Sequence, residues 1–67
     1  MEIFGIRVKQ ELKVQGKMQK DMCEDLNVSK STMSEWLSGT NEPPLKMVVE
    51  IAKYLDVSTD YLLGLED

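Results

Sequence analysis

The feature that most constrains this chain is how often it is interrupted. Gly16, Asn27, Gly39, the Pro43-Pro44 pair and Gly64 recur along only 67 residues. Glycine and asparagine accept the positive φ that follows a helix, and proline disfavours α geometry in the residue before it. Between these points apolar residues repeat at three- and four-residue spacing, and no stretch alternates polar and apolar long enough for a strand. Only short helices fit. Phe4, Val8 and Leu12 share one face of a first helix that Gly16 ends, and Met18, Met22 and Leu26 share a face of a second that Asn27 stops. Ser29 stands where it caps a third, with Met33, Trp36 and Leu37 turned inward and Gly39 at its end. Leu45, Val48, Ile51, Ala52 and Leu55 mark a fourth, which Pro44 opens from its first turn. Ser58 caps a fifth that runs through Leu63 and ends at Gly64. The expectation is a compact, all-α, five-helix domain filling residues 1–67, with no repeat, linker or low-complexity tract.

Composition removes several classes of function. Histidine is absent, so the commonest general base and metal ligand are missing. The single Cys23 forms neither an internal disulfide nor a thiolate cage. With no nucleophile-base pair, metal cluster or phosphate loop, the chain is not expected to be an enzyme, and no cofactor or metal is expected. No apolar run approaches the ~20 residues of a membrane span, and the first residues, Glu2 among them, lack the basic start of a signal peptide. A cytoplasmic protein without a membrane partner is expected.

Charge is less simple. Eight Lys and Arg against twelve Asp and Glu leave a net charge of −4, which taken alone argues against a nucleic-acid partner. Residues 1–33, however, carry six cations against five acids, and residues 34–67 carry two against seven. From Arg7 to Lys20 there are five cations and one acid, Glu11. A negatively charged partner would meet the first half of the chain.

The segment from Gln19 to Leu37 carries the functional signal. Two short helices joined around Asn27 cross steeply only if the first presents a small residue at the crossing and the second turns its apolar side to the core. Cys23 is that small residue, which makes it a packing thiol rather than a redox centre. Met33 and Trp36 supply the inward face. Lys30, Ser31, Ser34 and Glu35 then point outward, with Thr32 near the boundary. An exposed helix start rich in Lys and Ser suits the DNA major groove, which admits a helix and offers base edges and phosphates to such side chains.

The spacing Gln19-x3-Cys23-x3-Asn27-x5-Met33-x2-Trp36 resembles the helix-turn-helix of the Cro and lambda-repressor-like regulators, the Xre type. The resemblance extends through Val28 to Gly39, the Pro43-Pro44-Leu45 corner, Ile51 to Leu55 and Val57 to Gly64, which is nearly the whole chain. It implies a five-helix lambda-repressor-like fold and a sequence-specific transcriptional regulator, a repressor of phage or mobile-element type. Such a protein inserts its third helix into the major groove of a double-stranded operator, as a homodimer on DNA. The alternative is an antitoxin or accessory regulator whose acidic C-terminal half grips a protein partner.

Roles follow position by position from the resemblance. Gln19 matches a glutamine that bonds a DNA phosphate at a helix start. Lys30, Ser31 and Glu35 match base-reading positions, Ser29 and Thr32 positions near the backbone, and Thr40 and Asn41 a loop that meets phosphate. Ser34 shares the outward face, and Lys20 lies in the cationic stretch. The chain departs from the family frame in several places. Lys17 and Met18 replace an apolar residue and a capping Thr or Ser, so that Met18 takes the apolar place and Lys17 reaches solvent or phosphate. Cys23 replaces Ala, and Asn27 replaces Gly. Glu35 replaces Arg, Lys or Gln. Its carboxylate either accepts from cytosine N4 or faces solvent and weakens nonspecific binding. At the C-terminal end, Tyr61, Leu62 and Leu65 are candidates for a dimer interface, since relatives often pair through it.

Overall fold

The computed structural model describes residues 1–67 and contains five helices and no strand. They are α1 Glu2–Gln15, α2 Gln19–Leu26, α3 Lys30–Ser38, α4 Leu45–Leu55 and α5 Thr59–Leu62. Residues Gly16, Asn27 and Gly39 take left-handed backbone conformations at the ends of α1, α2 and α3. The end of α4 is closed the same way by Asp56, with φ 56°. Aspartate, like asparagine, has a short polar side chain that eases this conformation.

Three of these ends share one closure. Lys17 N donates to Leu12 O at 2.8 Å, Val28 N to Cys23 O at 2.9 Å and Val57 N to Ala52 O at 3.0 Å. Each satisfies a carbonyl that the helix itself leaves open. Both predicted serine caps form. Thr32 N donates to Ser29 Oγ at 3.1 Å, and Tyr61 N to Ser58 Oγ at 3.0 Å.

Thirteen apolar residues form one core, drawn from all five helices: Phe4, Val8 and Leu12 of α1, Met22 and Cys23 of α2, Met33, Trp36 and Leu37 of α3, Val48, Ile51, Ala52 and Leu55 of α4, and Leu62 of α5. Helix α1 packs across α3, and the crossing is closest at Gly5. A Cβ built on Gly5 would stand 1.8 Å from the carbonyl oxygen of Leu37, so the two backbones meet with no room for a side chain.

Four sequence expectations change. Met18 is 57% exposed rather than part of an apolar face, because it sits at the N-cap of α2 with extended backbone, outside the helical spiral that turns Met22 inward. Leu45, the first residue of α4, is 75% exposed, since the first turn projects beyond the core. Pro44 occupies the cap of α4 rather than its first turn. Its φ of −60° suits the ring and its ψ of 152° is extended, while its carbonyl accepts from Met47 N at 2.9 Å. The last helix is a single turn that stops at Leu62, one residue short of the expected end.

Candidate nucleic-acid interface

Helices α2 and α3 and the turn between them pack into one unit. Met22 and Cys23 are buried from the first, Met33, Trp36 and Leu37 from the second, and Leu26 and Val28 pack against them at the turn. Burial raises the Cys23 thiol above its ordinary pKa, with Lys30 opposing. The sulfur therefore stays a neutral packing group.

With its apolar side held down, α3 leaves Lys30, Ser31, Ser34 and Glu35 exposed and Thr32 half-buried. Gln19 begins α2 and is half-buried, followed by exposed Lys20. The hydroxyl of Ser29 is spent locally: it accepts from Thr32 N and donates to Thr32 Oγ1 at 2.8 Å. Ser29 and Thr32 thus fix the start of α3 and with it the direction in which Lys30 and Ser31 leave the helix.

The loop after α3 is tied back to that helix. Asn41 Nδ2 donates to Glu35 Oε1 at 3.0 Å, and Asn41 N donates to Glu35 O at 3.2 Å. Ser38 Oγ lies 2.9 Å from Thr40 Oγ1 and donates to Glu35 O at 3.2 Å. Glu35, Thr40 and Asn41 are therefore neighbours, a relationship that their spacing along the chain does not reveal.

Two cations of the N-terminal stretch are committed elsewhere. Lys17 is exposed, and its Nζ donates to Tyr54 O at 3.2 Å and lies 4.7 Å from the Tyr54 ring centroid. The loop before α2 passes the end of α4, where open carbonyls attract a cation. Gln15 Nε2 adds a bond to Leu55 O at 2.7 Å. Burial, with Asp25 and Asp21 nearby, holds the Tyr54 hydroxyl above its ordinary pKa.

Arg7 grips the other end of the molecule. Its Nη1 donates to Tyr61 O at 2.6 Å and to Glu66 O, and its guanidinium lies 4.5 Å from the Tyr61 ring centroid. Tyr61 is half-buried there, its hydroxyl donating to Glu11 Oε2 at 3.3 Å. Leu62 is fully buried, which removes it from any dimer surface, because the single turn of α5 needs one apolar residue to seal the core. Leu65, 73% exposed, keeps the accessibility that such a surface requires.

The helix-turn-helix family model matches residues 8–62, a span from the middle of α1 to the end of α5. The chain belongs to the Cro/C1-type helix-turn-helix family. Two curated relatives from Bacillus subtilis (strain 168) are similar to it. The uncharacterized HTH-type transcriptional regulator YobD is 33% identical over 61 residues, which cover 91% of this chain and 54% of that protein. The HTH-type transcriptional regulator ImmR is 30% identical over 64 residues, covering 96% and 50%. This helix-turn-helix chain spans about half the length of the curated relatives it matches. Its family is one of DNA-binding transcriptional regulators, generally without enzymatic activity. No helix is long and apolar enough to cross a membrane.

Sequence reasoning missed three features of this helix-turn-helix domain: the close approach at Gly5, the contacts of Arg7 and the pairing of Glu35 with Asn41. Gly5 carried a legible signal, a glycine inside a helical pattern, which marks close backbone approach. Arg7 and the Glu35–Asn41 pair carried none, because their partners are main-chain atoms or lie across a loop.

Proposed function

We propose that this chain is the DNA-binding part of a sequence-specific transcriptional repressor that inserts α3 into the major groove of an operator and binds as a dimer. One observation supports this reading above the others: Lys30, Ser31 and Ser34 stand exposed on a helix whose apolar residues Met33, Trp36 and Leu37 are locked into the core, with Gln19 and Lys20 at the start of the preceding helix.

A helix of this width fits the major groove, where Lys and Ser reach base edges and phosphates. Gln19 bonds a phosphate at the start of α2, where the helix dipole adds favourable charge, and Lys20 adds a cation. Thr40 and Asn41 meet the backbone beyond the other end of α3. Ser29 and Thr32 act through the helix start they build. In a dimer, two copies of α3 enter successive major grooves about 34 Å apart on a roughly palindromic site. Leu65 and the exposed edge of Tyr61 supply part of that dimer contact. Occupying the operator blocks polymerase.

The net charge of −4 sets the character of binding. Nonspecific affinity is low, and occupancy depends on a good operator and on dimer formation. Fluorescence anisotropy tests the reading, with a duplex selected from a random 20-base-pair library by the protein itself. Binding in the nanomolar to micromolar range that weakens steeply with salt is expected. Failure to bind any duplex at low salt overturns the proposal.

A further inference from the structure

The Glu35 carboxylate stands on the outward side of α3, where a negative charge opposes DNA phosphate. Its surroundings give it another task. Three bonds from the following residues converge on Glu35: Asn41 Nδ2 to Oε1 at 3.0 Å, Asn41 N to the main-chain oxygen at 3.2 Å, and Ser38 Oγ to the same oxygen at 3.2 Å. Ser38 also reaches Thr40, whose N–H donates to Ser38 Oγ at 3.4 Å. The loop after α3 is anchored at its far end by buried Pro43, while Thr40, Asn41 and Glu42 are exposed, so these polar contacts are what hold that stretch against α3.

We propose that Glu35 is a positioning residue: its carboxylate holds Asn41, and through Asn41 sets the loop that meets the DNA backbone, instead of reading a base. The inference rests on the DNA-binding reading above. It assigns Glu35 and Asn41 one shared contribution to affinity rather than two separate ones. Only the bond from Asn41 Nδ2 uses the side chain, since any residue supplies the main-chain oxygen; that bond requires an oxygen acceptor at position 35, and the charge is incidental. Glutamine at that position keeps the acceptor, whereas alanine removes it.

The test is a set of mutant cycles read by anisotropy on the duplex that the unmodified protein selects from a random 20-base-pair library. Asn41→Ala is measured alone, with Glu35→Gln and with Glu35→Ala. Coupled residues in contact predict that Asn41→Ala weakens binding about three- to tenfold alone and in the Glu35→Gln background, and changes it little in the Glu35→Ala background. The duplex selected by Glu35→Ala keeps the same base preference. In the DNA-free protein, the side-chain amide resonances of Asn41 shift on Glu35→Ala and stay near their original positions on Glu35→Gln. Equal losses from Asn41→Ala in every background, a base preference that changes with Glu35→Ala, or unmoved amide resonances would each overturn the proposal. Absence of binding to any duplex by the unmodified protein removes the regulator reading and this proposal together, whereas binding without coupling removes only the latter.

Discussion

Gly5 in α1 and Leu37 in α3 meet backbone to backbone: a methyl group on Gly5 would stand 1.8 Å from the Leu37 carbonyl oxygen and 2.7 Å from its carbon. Glycine inside a helix ordinarily costs about 1 kcal/mol relative to alanine. Here the missing side chain is what lets α1 lie against the end of α3, and the two effects have opposite signs. The obstacle is backbone, not the end of a flexible side chain, so separation of the helices is the only relief. Gly5→Ala is therefore expected to destabilise the domain by about 2–3 kcal/mol or more, despite the better helix propensity. Urea unfolding followed by circular dichroism measures it. An unchanged or raised midpoint would show that α1 and α3 separate without cost.

Met18 offers a change of the opposite sign. It holds the N-cap of α2 with φ −105° and ψ 143°, makes no side-chain cap and is mostly exposed. Met18→Ser keeps the backbone conformation, gives up little packing and adds an acceptor for the open amides of the first turn. A gain of about 0.5–1 kcal/mol is expected, whereas Ser29→Ala, which removes a cap that forms, loses about 1 kcal/mol. Both follow from the same unfolding measurement.

Lys17 and Lys30 separate stability from DNA affinity. Lys17 is committed to Tyr54, while Lys30 stands free at the start of α3. In anisotropy across a salt series, Lys30→Ala should lower the slope of log K against log salt by about 1. Lys17→Ala should leave the slope nearly unchanged and lower the melting temperature slightly, because it removes a contact at the end of α4. Equal changes in slope would place Lys17 on phosphate after all.

Arg7 joins α1 to the C-terminal segment through two carbonyls and the Tyr61 ring. Its planar guanidinium suits this combination, and lysine does not reproduce it. Arg7→Lys should cost about 1 kcal/mol and speed amide exchange at Leu63 and Gly64 before it does so in α3. Uniform acceleration along the chain would mean that the contact is not local to this end.

Alkaline conditions test the buried thiol and the half-buried Tyr54 phenol. Cys23 and Tyr54 both have pKa values above their ordinary 9.0 and 10.0, chiefly through burial. Each ionises more readily once unfolded, so their neutral forms contribute no penalty below the unfolded values, and stability falls as pH rises above them. Thermal unfolding should show the decline beginning near pH 9, and Cys23→Ala should remove its earlier part. A flat profile from pH 9 to 11 would contradict the burial of the thiol.

The periodic apolar positions and the interrupting residues were enough to locate all five helices, because helix ends obey local rules. A left-handed residue at Gly16, Asn27 or Gly39 and a hydroxyl at Ser29 or Ser58 act within one turn of chain. The same locality made the outward set legible, since Ser31 lies opposite Met33 on a single helix, Ser34 lies off the apolar stripe, and Lys30 opens the first turn. Met18 and Leu45 failed that rule for a physical reason: a residue at a cap or first turn lies where the helical spiral no longer decides which way a side chain faces.

The sequence by itself determined which segments are helical, where they stop and which side of each is apolar. Tertiary structure decided which charges are free. Arg7, Lys17 and Lys30 are alike as cations on paper, yet two of them bind main-chain oxygens that reach them only once α1, α4 and α5 have packed. Glu35 and Asn41, likewise, become one unit only through the turn between them. Side-chain periodicity is a property of neighbouring residues, while the partner of a charge is set by whichever distant backbone the fold brings within 3 Å or so.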